Sequence, residues 1–105
     1  MQASDRVLAW RYGRAFFEAA AAKKEETKVQ GELAAIHPTL KDLIPVIRNP
    51  RVSAIEKKKK LESALGNKVA PVTMRFLELL VDKKRFDLLP MVIADFALAS
   101  WKRLS

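Results

Sequence analysis

The amino-acid sequence predicts an all-α fold, a six-helix bundle with five long helices and one short helix. Apolar residues recur at intervals of three and four along most of the chain, and no stretch alternates as a strand would. Only three of the 105 residues are glycine, and this length suffices for one hydrophobic core but not for two. We therefore expect residues 1–105 to form a single helical domain.

The first two predicted helices differ in how clearly they are bounded. Asp5 is placed to cap the first helix, which continues through the alanine stretch at 19–22. In the second, Pro38 predicts a kink or a break, followed by a separate short helix at 44–48. The second helix should bury one apolar seam, consisting of Val29, Leu33, Ile36, Leu40, Leu43 and Ile47.

The remaining three helices are bounded by typical start and stop residues. Ser53 followed by Glu56 is a capping box, and Gly66 is suited to end that helix in the left-handed conformation. Pro71 suits the first turn of the fifth predicted helix. Asp87 is expected to cap the sixth.

The composition argues against most catalytic and metal sites. The absence of cysteine excludes disulfides and thiolate ligands, and there is no Gly-rich phosphate loop or HExxH motif. The single histidine, His37, precedes a proline and is expected to be a helix-break residue. No apolar run approaches the ~20 residues that span a bilayer. We predict no catalytic residues, no cofactor and no metal.

The net charge of +8 is concentrated in one part of the chain. About five of the eight excess charges fall between residues 41 and 60, which include four consecutive lysines, Lys57–Lys60. We expect this run to be a solvated face with at least one lysine stem packed on the domain; an anionic partner surface is the alternative.

A basic helical nucleic-acid-binding domain is the competing function. The aromatic residues lie on apolar helical faces and not among the lysines, so we expect no nucleic acid partner.

The first and fifth predicted helices have unusually broad apolar faces. In "MRFLELLVDKKRF", residues 74–86, the first nine positions leave one polar row, Arg75, Glu78 and Asp82. Either both helices are central in the core, or they lie side by side and form a groove for a partner helix. The candidate groove residues are Leu8, Tyr12, Ala15 and Ala19 on the first helix, with Val72, Phe76 and Leu79 on the fifth.

Three segments together resemble the delta subunit of F-type ATP synthases, a family that includes the mitochondrial oligomycin-sensitivity-conferring protein. They are "RYGRAFFEAA" at 11–20, "LIPVIRNPRVSAIEKKKKLESAL" at 43–65 and "FLELLVDKKRFDLLPMVIADF" at 76–96. Their order and spacing carry the resemblance, which covers nearly the whole chain.

The resemblance implies that the chain is the six-helix N-terminal domain of such a subunit, a non-enzymatic stator component on top of the catalytic head. In the family, a groove between the first and fifth helices binds the N-terminal helix of an α subunit. Tyr12 matches the family's aromatic position and Leu79 an apolar groove position. The family's C-terminal domain, which meets the b-subunit stalk, has no match here, and we expect a truncated form. Membrane association is expected only through the complex, at the cytoplasmic face of a bacterial inner membrane.

Overall fold

Every regular element in residues 3–104, the part that the computed structural model describes, is a helix. Side chains are described for residues 4–102. The α-helices are α1 (Ala3–Ala22), α2 (Glu26–Ile47), α3 (Ala54–Leu65), α4 (Pro71–Asp82) and α5 (Leu89–Leu104), and a 3-10 turn at Phe86–Leu88 precedes α5. This part of the chain contains no helix with the length and apolar character needed to cross a membrane. The predicted all-α class is confirmed, but residues 3–104 contain five α-helices and one 3-10 turn, not six helices.

The count differs because α2 does not break at Pro38. It continues through Pro38 and Pro45, and the predicted separate helix at 44–48 is its last turn and the residue that follows. Both prolines are exposed, as are Ala34 and Lys41, whose carbonyls lose their helical partners. Water can therefore hydrate these carbonyls, while the opposite, buried face of the helix stays continuous.

The core is built on that buried face of α2 and on an aromatic cluster from three other helices. All six predicted seam residues of α2 are buried. Phe16 of α1 stacks on Phe76 of α4, with ring centroids 4.2 Å apart, and lies 4.9 Å from Phe96 of α5. Phe17 meets Phe96 edge-on at 5.4 Å. Such aromatic pairs contribute ~0.5–1.5 kcal/mol beyond their buried area.

Gly13 allows α1 and α5 to pack closely. A Cβ atom at this position would lie 2.9 Å from the Cβ of Asp95 and 3.3 Å from the carbonyl oxygen of Val92. Only a residue without a side chain fits between the helices at this point without displacing one of them.

Of the three predicted N-caps, Asp5, Ser53 and Asp87, the structure confirms only Ser53. The Ser53 hydroxyl accepts a hydrogen bond from the Glu56 backbone N–H at 3.2 Å, as predicted. The prediction for Asp5 was wrong, because α1 begins before it and places it in the first turn. Asp87 does not cap the last helix either; it lies in the 3-10 turn and pairs with Arg48 at 3.3 Å.

The left-handed helix ends are lysines and not the predicted glycine. Gly66 has φ −54°, whereas Lys24 and Lys84, which follow α1 and α4, have φ 59° and 57°. After α1, the Glu25 N–H donates to the Ala20 carbonyl at 2.8 Å, which is the bond of a Schellman motif. A non-glycine residue in this conformation costs ~1–2 kcal/mol, so both helix ends carry local strain.

Candidate partner-binding surface between α1 and α4

The first and fifth predicted helices, α1 and α4, are neighbours in the structure. The Tyr12 ring lies edge-on to Phe76, with centroids 6.3 Å apart and planes at 69°. Phe16 stacks on the same Phe76 ring from deeper in the core. Phe76 therefore joins the two helices along their line of contact.

The seven candidate groove residues differ in exposure and define what we call the α1–α4 surface. Val72 and Phe76 are 8% and 6% exposed and form its floor, while Leu79 is 39% exposed on the α4 side. On α1 the residues lie in one row at helical spacing, with Leu8 and Tyr12 half-buried and Ala15 and Ala19 exposed. The surface thus combines a buried floor, one exposed large apolar side chain on α4, and an α1 row of two large half-buried and two small exposed residues.

Part of the polar row of α4 interacts with side chains of α3. Lys58 Nζ lies 2.9 Å and 3.2 Å from the two carboxylate oxygens of Asp82, and this hydrogen bond raises the pKa of Lys58. Burial raises the pKa of Glu78, and the neighbouring Glu62 raises it further. Arg75 and Asp82 are exposed and Glu78 is half-buried, so the polar row faces solvent and α3. The apolar residues of α4 cover two sides, one facing the core and the other forming part of the α1–α4 surface.

A carboxylate from α2 fixes the start of α4. Glu32 accepts hydrogen bonds from the backbone N–H of Ala70 and from the hydroxyl of the fully buried Thr73, both at 2.9 Å. Sequence reasoning missed this contact. The available signal was that Ala70, the residue before Pro71, has no side-chain oxygen with which to cap the helix.

On α1, Trp10 is less buried than its sequence predicted, and it lies on the opposite side of the helix from the row that contains Tyr12 and Ala15. Trp10 is 53% exposed, with the Arg14 guanidinium 5.6 Å from its ring centroid. Arg14 also lies 3.8 Å from Glu18, an exposed pair that contributes little to stability. Phe17, by contrast, is buried against α5.

The chemistry available at this surface is apolar contact. Within residues 3–104, no group of three or more His, Asp or Glu side chains is arranged to hold a metal ion. His37 is exposed on α2.

Sequence comparison assigns the chain to a family. The sequence model described as "ATP synthase delta (OSCP) subunit" matches residues 8–102. The chain belongs to the ATP synthase delta (OSCP) subunit family. The match includes α1 from residue 8 onward, the whole of α4 and all the candidate groove residues.

Curated members of the family give the same assignment. The chain is 33% identical over 97 residues to ATP synthase subunit delta of Chlorobaculum parvum, covering 90% of this chain and 54% of that protein. It is 34% identical over 95 residues to the protein of the same name from Desulforamulus reducens, covering 87% and 52%. The chain thus spans about half the length of these delta subunits.

Proposed function

We propose that this chain is a non-catalytic stator domain of an F-type ATP synthase, which helps to link the catalytic head to the peripheral stalk so that the head does not turn with the rotor. The family match over residues 8–102 is the observation that carries the proposal. The relatives are named as ATP synthase subunits. A linking role requires binding surfaces and no reactive groups, which fits the apolar character of the α1–α4 surface.

Within this role, the α1–α4 surface receives the N-terminal helix of an α subunit. An amphipathic helix docks by placing its apolar residues on a surface of matching shape. Leu79 offers exposed apolar area, and the short side chains of Ala15 and Ala19 allow close approach. The floor residue Phe76 is held by Phe16 and Tyr12, so the surface is formed before the partner arrives.

Contact with the b-subunit stalk belongs, in this proposal, to a further domain of the delta subunit. The relatives are about twice as long as the region matched here. The complex would hold this domain at the cytoplasmic face of a bacterial inner membrane, without direct membrane contact.

A calorimetric titration tests the α-subunit contact. The ligand is a synthetic peptide of the α-subunit N-terminus from the same organism, and a scrambled peptide of equal composition is the control. We expect specific binding that changes little with salt, since the contact is apolar. Absence of binding would contradict the proposal. Tighter binding to nucleic acid, with a steep loss of affinity in salt, would favour the competing function.

A further inference from the structure

A concave region lies away from the α1–α4 surface, where the end of α2, the start of α3 and the end of α4 converge. The cavity has a volume of about 570 Å³, within the ~300–1,000 Å³ typical of ligand pockets. Its accessible apolar lining consists of Pro50, Val52 and Ala54, together with the buried side chains of Ile47, Leu80 and Phe86. We call it the basic cavity because of the charges on its wall.

The charges on the wall do not balance. Asp87 pairs with Arg48 at 3.3 Å, and Asp82 pairs with Lys58 at 2.9 Å, so both acidic residues of the lining are already neutralised. Lys57 and Lys84 also line the cavity, and neither has an acidic partner within ion-pair distance among the described residues. Two positive charges therefore remain beside an apolar lining.

We propose that the basic cavity binds an acidic segment of a partner protein, one in which carboxylates adjoin an apolar side chain. Lys57 and Lys84 attract the carboxylates by charge complementarity, and the partner's apolar side chain packs on the accessible lining at Pro50, Val52 and Ala54. This proposal does not rest on the α-subunit contact.

Two other anionic partners fit the geometry less well. A single-stranded nucleic acid would be expected to use exposed aromatic platforms, and the one aromatic residue of the lining, Phe86, is only 6% exposed. A bilayer surface attracts clusters of basic residues that can approach its plane, whereas Lys57 and Lys84 line a concavity.

The test is an NMR titration of the full chain with the acetylated peptide Glu-Leu-Glu-Phe-Glu, compared with its glutamine counterpart. We expect amide shifts at residues 52–57 and 81–84 with the acidic peptide only. The double variant Lys57→Gln/Lys84→Gln should weaken binding by about tenfold or more, since hydrogen bonds to charged groups are the stronger class. The control Lys59→Gln/Lys60→Gln removes the same charge from exposed α3 positions outside the cavity and should change affinity less than twofold.

Thermal melts first establish that both double variants are folded. Equal weakening by the two variants would show general charge attraction and overturn the proposal. So would equal binding of the acidic and glutamine peptides. Binding of single-stranded DNA or of phosphatidylserine vesicles that exceeds peptide binding and depends on Lys57 and Lys84 would also overturn it, in favour of those partners.

Discussion

The close packing of α1 on α5 makes Gly13→Ala an informative substitution. In a helix interior, replacing glycine by alanine ordinarily stabilises by about 1 kcal/mol. At Gly13, however, the new Cβ would lie 2.9 Å from the Asp95 Cβ and 3.3 Å from the Val92 carbonyl oxygen. Both atoms are fixed to the backbone of α5, so the clash is relieved only by moving a helix. Such overpacking costs ~1–3 kcal/mol, which offsets or exceeds the propensity gain.

Gly31→Ala is the matched control, because it lies inside α2 and a Cβ there meets no atom within 4 Å. Gly31→Ala should stabilise by about 1 kcal/mol, so the free energies of unfolding of the two variants should differ by ~1–3 kcal/mol. Urea and thermal unfolding followed by circular dichroism measure the difference, which corresponds to a Tm gap of at least ~4 °C for a domain of this size. Equal stabilisation by both substitutions would refute the α1–α5 packing.

Three further predictions follow from local contacts. Glu32→Ala leaves the buried Thr73 hydroxyl without its acceptor and should destabilise by ~1–3 kcal/mol in urea unfolding, with Glu32→Gln losing less because it keeps an acceptor oxygen. Lys24→Gly should stabilise by about 1 kcal/mol by relieving the left-handed conformation, and an unchanged Tm would contradict this. Burial is the main cause, and the neighbouring Glu62 the second, of the raised pKa of Glu78 in the folded state. Protonated Glu78 therefore favours the folded state, and this contribution to stability is lost as pH rises through the folded-state pKa. Glu78→Gln should therefore raise Tm at neutral pH, and this gain should disappear below pH ~4.

Sequence periodicity predicted the buried face of α2 because burial and helical spacing are directly linked. All six seam residues are buried, and the Ser53 cap is present. Of the predicted kink or break at Pro38, the break does not occur. A proline removes one backbone hydrogen bond, and its effect depends on whether the freed carbonyl meets water or core. The exposure of Ala34 and Lys41 is a tertiary property that local sequence does not specify.

Contacts between distant segments were the least predictable part of the fold. Glu32 and Thr73 are 41 positions apart, and no local pattern connects them. For the candidate site, helical spacing predicted which residues share a row. It could not separate the floor residue Phe76 from the exposed Leu79, because burial of Phe76 depends on Phe16 and Tyr12 from another helix.

The most direct test of the central claim is the affinity of Leu79→Ala for the α-subunit N-terminal peptide, measured together with its stability. Leu98→Ala on α5 is the control. It makes the same substitution at a leucine of similar exposure, 49% compared with 39% for Leu79, but outside the α1–α4 surface. Truncation of a hot-spot residue near the centre of an interface costs ~2 kcal/mol or more of binding free energy, and the proposal makes Leu79 such a residue. At ~1.4 kcal/mol per decade, Leu79→Ala should weaken binding more than tenfold. Its stability should fall by less than the ~2–5 kcal/mol of a buried leucine. Leu98→Ala should bind normally. A Leu79→Ala domain that is folded and binds as tightly as the Leu98→Ala control would contradict the account.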